Sequence, residues 1–275
     1  MFPRIGKRMP RGQRVLITGG ASGLGLALTT RFVERGDRVI VADLHDTAPA
    51  EVAALGSAVE YRRLDVTSDA DWAAAAEEID SLDVLVLNAG VAVGGRIETV
   101  SMETWQRVVD INMLGVVRGA RTMAPKLADG GRIAITSSVM GLIHPGFMAT
   151  YNATKAATVA IGETLHHELS HRGISATTIC PQFFRTPLVH SLATDDEPVN
   201  YVARILMTRT WLTVDAVADR AMAAIERRRV VVTPDAAATF TWYSKRFARP
   251  AYLLVQRLSM VGARALMRRK FPAER

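Results

Sequence analysis

Short runs of β-branched and aliphatic residues recur along the chain, and most are separated by longer stretches with apolar positions at helical spacing. The runs are Val15–Thr18, Arg38–Ala42, Val59–Leu64, Val84–Leu87, Arg132–Thr136, Ile174–Ile179 and Val230–Thr233. Their length and β-branched content predict strands, and the intervening stretches, such as Leu24–Arg35, predict helices. Strands that alternate with helices point to right-handed crossovers and a parallel sheet. The run Val84-Leu-Val-Leu87 has no polar position, as suits a strand covered on both faces. The predicted class is α/β: a doubly wound parallel sheet of about seven strands with helices on both faces. No repeat or linker interrupts residues 13–235, which read as one domain, with an arm over 1–12 and a helical extension over 236–275.

Composition narrows the class. Of 275 residues, 49% are hydrophobic and 22% charged, which excludes a disordered or collagen-like chain. A single cysteine, Cys180, excludes intrachain disulfides and a multi-cysteine metal cluster, and fits a reducing cytoplasm. It reads as a buried strand-end thiol, and no metal site is expected. No apolar run reaches the ~20 residues of a membrane-spanning helix, and the first fourteen residues lack the apolar core of a secretory signal. The expectation is a soluble, cytoplasmic protein.

The net charge of +7 is unevenly placed. Residues 1–14 carry +5, residues 240–275 carry +8, and residues 15–239 carry −6. The cations form no stripe across the body, so nucleic acid is not expected as a partner.

The first candidate site is Thr18-Gly-Gly-Ala-Ser-Gly-Leu-Gly25, which joins the first strand to the first helix. Glycines there let the backbone approach a pyrophosphate, and the helix N-terminus offers free N–H groups and a positive dipole end. The bland alternative is an ordinary glycine-rich turn, but its strand-turn-helix setting favours a dinucleotide loop. The spacing is Gly19-x-x-x-Gly23-x-Gly25, with Ser22 and Leu24 inside it. Asp43 closes the second strand about twenty residues on, where an acid accepts ribose hydroxyls and repels a 2′-phosphate. With no cation at 44 or in the loop, NAD is favoured over NADP. Asp43 could otherwise serve as a strand-end or capping residue.

The second candidate is Tyr151-Asn-Ala-Thr-Lys155. At i,i+4 on a helix the phenol and the ammonium share a face. The cation is expected to lower the phenol's pKa from about 10 toward neutrality, making it a general acid or base at physiological pH. Taken alone, Tyr-x-x-x-Lys is a common exposed helix pair. Ser138, at the end of the fifth strand where ligands gather in such sheets, raises its significance.

Together these pieces resemble the short-chain dehydrogenase/reductase family, single-domain type, over roughly residues 13–235. The resemblance is carried by Thr18–Gly25, Leu64-Asp-Val-Thr67, Asn88-Ala-Gly90, Asn112 in Asn-Met-Leu-Gly115, Ser137-Ser138 followed by Gly141, Tyr151-x-x-x-Lys155, and Cys180-Pro181 with Thr186. It implies a Rossmann-type fold and an NAD-dependent oxidoreductase acting on CH–OH groups. It further implies that Asp65 and Val66 meet the adenine, and that Asn88, Ala89 and Gly90 line the cofactor cleft. Pro181, Phe184 and Thr186 would lie at the nicotinamide, with Thr186 on its carboxamide. Tyr151 would exchange the proton with the substrate oxygen, and Ser138 would bond that oxygen. Lys155 would tune Tyr151 and hold the nicotinamide ribose, and Asn112 would position a relay water. A homodimer or homotetramer is implied as well. Where the family reads Pro-Gly, this chain has Pro181-Gln182, and glutamine takes positive φ less freely.

The segment after Ser138 and the stretch Phe183–Trp211 are apolar and aromatic, with Met140, His144, Phe147 and Phe183 expected to line a substrate pocket. An apolar alcohol or ketone of lipid, steroid or terpenoid type fits such a lining. Residues 188–212 are expected to form a mobile lid. A cofactor-sensing regulator or scaffold on the same fold, or an NAD-using dehydratase or epimerase, are the alternative functions. In the extension, 251–267 reads as a helix with Arg257, Arg264 and Arg268 in one narrow sector. Such a helix suits peripheral contact with the inner face of a membrane, or packing over the pocket or a subunit interface.

Overall fold

The computed structural model describes residues 9–182, 196–199, 201, 205 and 212–271. In chain order the elements are β1 (Arg14–Thr18), α1 (Gly23–Glu34), β2 (Arg38–Asp43), α2 (Ala50–Ala53), β3 (Val59–Arg63), α3 (Asp69–Glu78) and β4 (Leu82–Leu87). There follow α4 (Met102–Val109), α5 (Gly115–Met123), β5 (Leu127–Thr136), α6 (Met140–Ile143), α7 (Ala149–Glu168) and β6 (Ser175–Ile179). The described chain closes with α8 (Val214–Glu226), β7 (Val231–Val232), α9 (Ala236–Phe247) and α10 (Arg249–Lys270).

The seven strands form one sheet in the order β3-β2-β1-β4-β5-β6-β7, and every pair is parallel. All seven predicted strands are present. Strand β5 begins earlier than the sequence suggests, at Leu127, and its register against β4 shifts between Leu82 and Val84.

Alternation along the strands separates two apolar layers, because successive side chains point to opposite faces. Val15, Ile17, Val39, Val41, Val84 and Val86 pack against Leu28 and Phe32 of α1 and Val217, Ala221 and Ile225 of α8. On the other face Leu16, Ile40, Leu85, Leu87, Ile133 and Ile135 pack against Trp72 of α3 and Val116 and Met123 of α5. Each fully buried aliphatic side chain contributes roughly 1.5–3 kcal/mol; β5 also buries one cation, Arg132, whose Nε donates to the Ile225 carbonyl at 3.2 Å. Sheet order reverses between β1 and β4, which places a crevice at their carboxyl ends, the usual ligand position in such sheets.

The extension is helical, as expected, and longer than predicted. Asp235 caps α9 by accepting from the Ala238 amide at 2.6 Å, and Pro250 sits in the first turn of α10. The pair folds back onto α6. The Lys245 ammonium donates to the Leu142 carbonyl at 2.6 Å, and the Tyr252 hydroxyl donates to the carbonyl of Ile143. Met260 lies so near Gly146 that a Cβ there would meet its sulfur at 2.5 Å.

Candidate active site

A cleft of about 840 Å³ opens at the carboxyl ends of β1, β2, β4 and β5, and its walls include Gly19, Asp43, Asn88, Thr136, Tyr151 and Lys155. The glycine loop forms one wall. Gly19 has φ +61°, and a Cβ there would lie 2.9 Å from the Cα of Ala89. Gly25 does not line the cleft; a Cβ on it would run into the Gly19 carbonyl, so this position seats α1 against its own loop. Ser22, Gly23 and Leu24 do face the cleft. Ser22 caps α1 in extended conformation without a side-chain bond to the first turn, whose amides have no intrahelical partner. That cradle fits the diphosphate of a dinucleotide.

Asp43 combines both roles read from the sequence. Its carboxylate accepts from the Ala21 amide at 3.0 Å and the Leu44 amide at 2.8 Å, which ties the glycine loop to the end of β2, and it also lines the cleft. Farther along, Asp65 accepts from the Thr67 amide at 2.8 Å and its hydroxyl at 2.7 Å, shaping the Asp65–Thr67 turn so that Asp65 and Val66 face the same cleft.

Asn88 lines the cleft with Ala89 and Gly90, and it is also the knot that ties three strand ends together. Its Nδ2 donates to the carbonyls of Thr18 and Gly19 at 3.1 Å each, and its Oδ1 accepts from the Thr136 hydroxyl at 3.0 Å. The Thr18 hydroxyl in turn accepts from the backbone amides of Asn88 and Ala89 at 3.0 and 3.2 Å.

At the far end stand Tyr151, Lys155, Ser138 and Asn112, all buried. Helix α7 presents Tyr151 and Lys155 on one face, with the Lys155 ammonium 5.8 Å from the phenol ring centroid. That ammonium donates to the Thr136 carbonyl at 2.8 Å. The Ser137 and Thr158 hydroxyls both donate to the Lys155 carbonyl, at 2.8 and 2.9 Å, which holds α7 against the end of β5. The Ser138 hydroxyl donates to the Pro181 carbonyl at 3.4 Å and accepts from the Met140 amide at 3.2 Å. Between α4 and α5 the chain makes a π-turn over Asp110–Leu114 that buries Asn112. There its side chain accepts from the Val91 amide at 2.8 Å and donates to the Val91 carbonyl at 2.9 Å.

The protonation of the pair corrects the expectation from spacing. Burial pushes the Tyr151 phenol up to about 12, with the neighbouring Ser138 hydroxyl opposing the rise. Burial likewise brings Lys155 down to about 8. Sharing a helix face does not bring the phenol toward neutrality, because loss of solvent disfavours both charged forms and the ammonium spends its short hydrogen bond on Thr136. Cys180 is a buried strand-end thiol, as expected, and burial pushes it up to about 12.

Of the residues expected around the substrate, Met140 is buried in one cluster with Tyr151, Met148 and Ala238 of α9. His144 has φ +52°, and its ring is engaged on both nitrogens, with the Gly141 carbonyl at 2.9 Å and the Lys245 ammonium at 2.6 Å. Partial burial and the adjacent Lys245 hold its pKa below the usual histidine range. Phe147, at φ +65°, offers its carbonyl to the Gly95 amide at 2.7 Å. Pro181 lines the cleft, whereas Phe183, Phe184 and Thr186, and most of the expected 188–212 lid, lie outside the described residues. Gln182 avoids the left-handed region: among described non-glycine residues only His144, Phe147 and Arg228 have positive φ. The sequence reading passed over Leu44, His45, Arg107 and Ile111, which also line the cleft. No motif marks them; only folding brings them to its rim.

The chain matches the short chain dehydrogenase family over residues 13–197. It is 36% identical over 194 residues to a 2,5-dichloro-2,5-cyclohexadiene-1,4-diol dehydrogenase, LinX, of Sphingobium indicum, covering 67% of this chain and 78% of that protein. It is 35% identical over 184 residues to a 3-alpha-(or 20-beta)-hydroxysteroid dehydrogenase of Mycobacterium tuberculosis, covering 64% of this chain and 71% of that one. Among solved structures, a short chain dehydrogenase/reductase from Burkholderia phymatum in complex with NAD superposes with a TM-score of 0.78 at 29% identity, covering 86% of this chain and 93% of that one.

Proposed function

The chain belongs to the short-chain dehydrogenase family, whose members are oxidoreductases of CH–OH groups, and we propose that it interconverts an apolar secondary alcohol and its ketone with NAD(H). The observation that carries this reading is the burial of Tyr151, Lys155 and Ser138 together where β5 meets the dinucleotide-sized cleft. NAD is favoured because Asp43 closes β2 on the cleft wall, where its negative charge would repel a 2′-phosphate. The substrate class rests on the apolar cluster around Met140 and Tyr151 and on the similarity to diol and hydroxysteroid dehydrogenases.

The dinucleotide, when bound, supplies the hydride exchange. Residues of the chain do the rest. In reduction the Tyr151 hydroxyl donates its proton to the carbonyl oxygen; in oxidation the deprotonated phenol accepts the alcohol's proton. Ser138 hydrogen-bonds that same oxygen and stabilises the charge that develops on it. A protonated Lys155 would favour the tyrosinate and, with the dinucleotide bound, would hold its ribose hydroxyls. Asn112 acts on this arrangement through the Val91 backbone and Thr154, fixing the loop after β4 against α7. Gly19, Ser22, Gly23, Leu24, Asp65, Val66, Asn88, Ala89 and Gly90 would hold the dinucleotide along the cleft, and Pro181, Phe184 and Thr186 its nicotinamide end.

We assign the enzyme to the cytoplasm as a homodimer or homotetramer. An apolar groove between α5 and α7, lined by Val117, Ala120, Ile161 and Leu165, suits contact between two copies. The test is an absorbance screen at the reduced-nicotinamide band over apolar alcohols and ketones, run with NAD(H) and repeated with NADP(H). Turnover of a steroid or cyclic alcohol with NAD supports the reading, and inactivity across the panel with both cofactors opposes it.

A further inference from the structure

Nine of the large apolar side chains left exposed among the described residues lie between Phe240 and Leu266, against four in the rest of the chain. They are not scattered. On α9, Phe240, Tyr243 and Phe247 recur at i, i+3 and i+7, with Phe240 74% and Phe247 75% exposed, and the rings of Tyr243 and Phe247 stack. On α10 the inner seam runs through Tyr252, Gln256, Met260 and Met267, the residues turned toward the body. The opposite face carries Leu254, Val255, Leu258 and Val261, of which Leu258 and Val261 are each 62% exposed. Arg257, Arg264 and Arg268 line one border of that face, and no acid occurs anywhere from Phe240 to Phe271.

An outer face so apolar calls for a cover, and its charge selects which. Two copies packed through it would bring two acid-free basic helices together, and the cations of each would repel the other's. A bilayer surface rich in anionic headgroups satisfies both properties at once: acyl chains take the aliphatic face, the interface takes the aromatics, and phosphates take the arginines. No described helix is long and apolar enough to cross a membrane, so contact would be from one side. We propose that the outer face of the α9–α10 pair beds into the surface of an anionic lipid bilayer. Because Lys245, Tyr252 and Met260 fasten the same pair to residues 142–146, docking also brings the segment after β5 to the lipid. The substrate is then an apolar alcohol or ketone dissolved in the membrane. This last step rests on the oxidoreductase reading; the docking does not.

The full-length chain is to be co-sedimented, without cofactor or substrate, with vesicles of phosphatidylcholine alone or mixed with phosphatidylglycerol. Wild type, L258E/V261E and R257Q/R264Q/R268Q are compared, with circular dichroism and light scattering on each. Wild type is expected to bind the anionic vesicles at least about tenfold more tightly than the neutral ones, each arginine being worth about fivefold. Both variants should lose at least about tenfold while keeping their fold and their turnover of a water-soluble ketone. All positions are exposed; if the glutamate variant fails to fold, the arginine variant carries the comparison. Equal sedimentation of wild type with both vesicle types, or of wild type and variants, overturns the proposal. So does a wild type that ignores vesicles but whose oligomer is broken by L258E/V261E, which assigns the face to a second copy. Inactivity in the cofactor screen with vesicle binding intact would instead sink the oxidoreductase reading alone.

Discussion

The ammonium of Lys155 lies 5.8 Å from the centre of the Tyr151 ring, one helical turn away on α7, and both side chains are buried. Burial acts on them in opposite directions, holding the phenol protonated up to about 12 and letting the amine lose its proton near 8. The sign for each direction of reaction follows. Reduction uses the protonated phenol beside a protonated Lys155, so kcat/KM for ketone reduction should stay level through neutral pH and fall above about 8. Oxidation needs the tyrosinate, so kcat/KM for the alcohol should climb with pH across the same range. Initial rates in both directions from about pH 6 to 10 check this; a reduction rate that rises with pH would contradict it.

Gly25 is spent on packing. A Cβ there would collide with the Gly19 carbonyl and stand 2.6 Å from the Asn88 amide nitrogen, so Gly25→Ala must push α1 off its loop. The expected cost is about 1–3 kcal/mol of stability, with a larger loss of NADH affinity, measured by fluorescence titration. Unchanged affinity would remove the loop from the cofactor site.

Asn88→Ala cuts three hydrogen bonds that join the ends of β1, β4 and β5. A loss of about 2–3 kcal/mol is expected from the stranded partners, lowering Tm by roughly 5–10 °C. Thermal denaturation monitored by circular dichroism reads it directly.

Asp43→Ser removes the negative charge beside the glycine loop and keeps a hydroxyl. The ratio of kcat/KM for NADP over NAD should rise at least about tenfold. A ratio that stays put would place cofactor choice elsewhere on the cleft wall.

Much of this was visible in the chain before folding. The β-branched runs marked all seven strands, the strand-turn-helix setting of Gly19–Gly25 marked a loop on the cleft wall, and the spacing of Tyr151 and Lys155 marked a shared face. What escaped notice depends on tertiary burial. The direction of the phenol shift could not be read from i,i+4 spacing, because it is set by how much solvent β5, α6 and α9 remove. Asn88 reads locally as a cleft residue; its bonds to Thr18 and Thr136 exist only once three strands lie side by side. His144 looked like a polar group for a substrate, yet Lys245, a hundred residues later, takes one of its nitrogens. Asn112 needs the π-turn to reach Val91, and nothing in Asp110-Ile-Asn-Met-Leu114 announces that turn.

The most direct test is Tyr151→Phe, which deletes one buried hydroxyl and leaves the ring in its apolar cluster. NADH affinity by fluorescence titration and single-turnover ketone reduction should be measured on the same preparation. Proton transfer by Tyr151 requires turnover to fall by a factor of at least about a hundred to ten thousand, with NADH affinity kept within about threefold, since the ring and its packing remain. A Tyr151→Phe enzyme that still reduces ketone at the wild-type rate would contradict it.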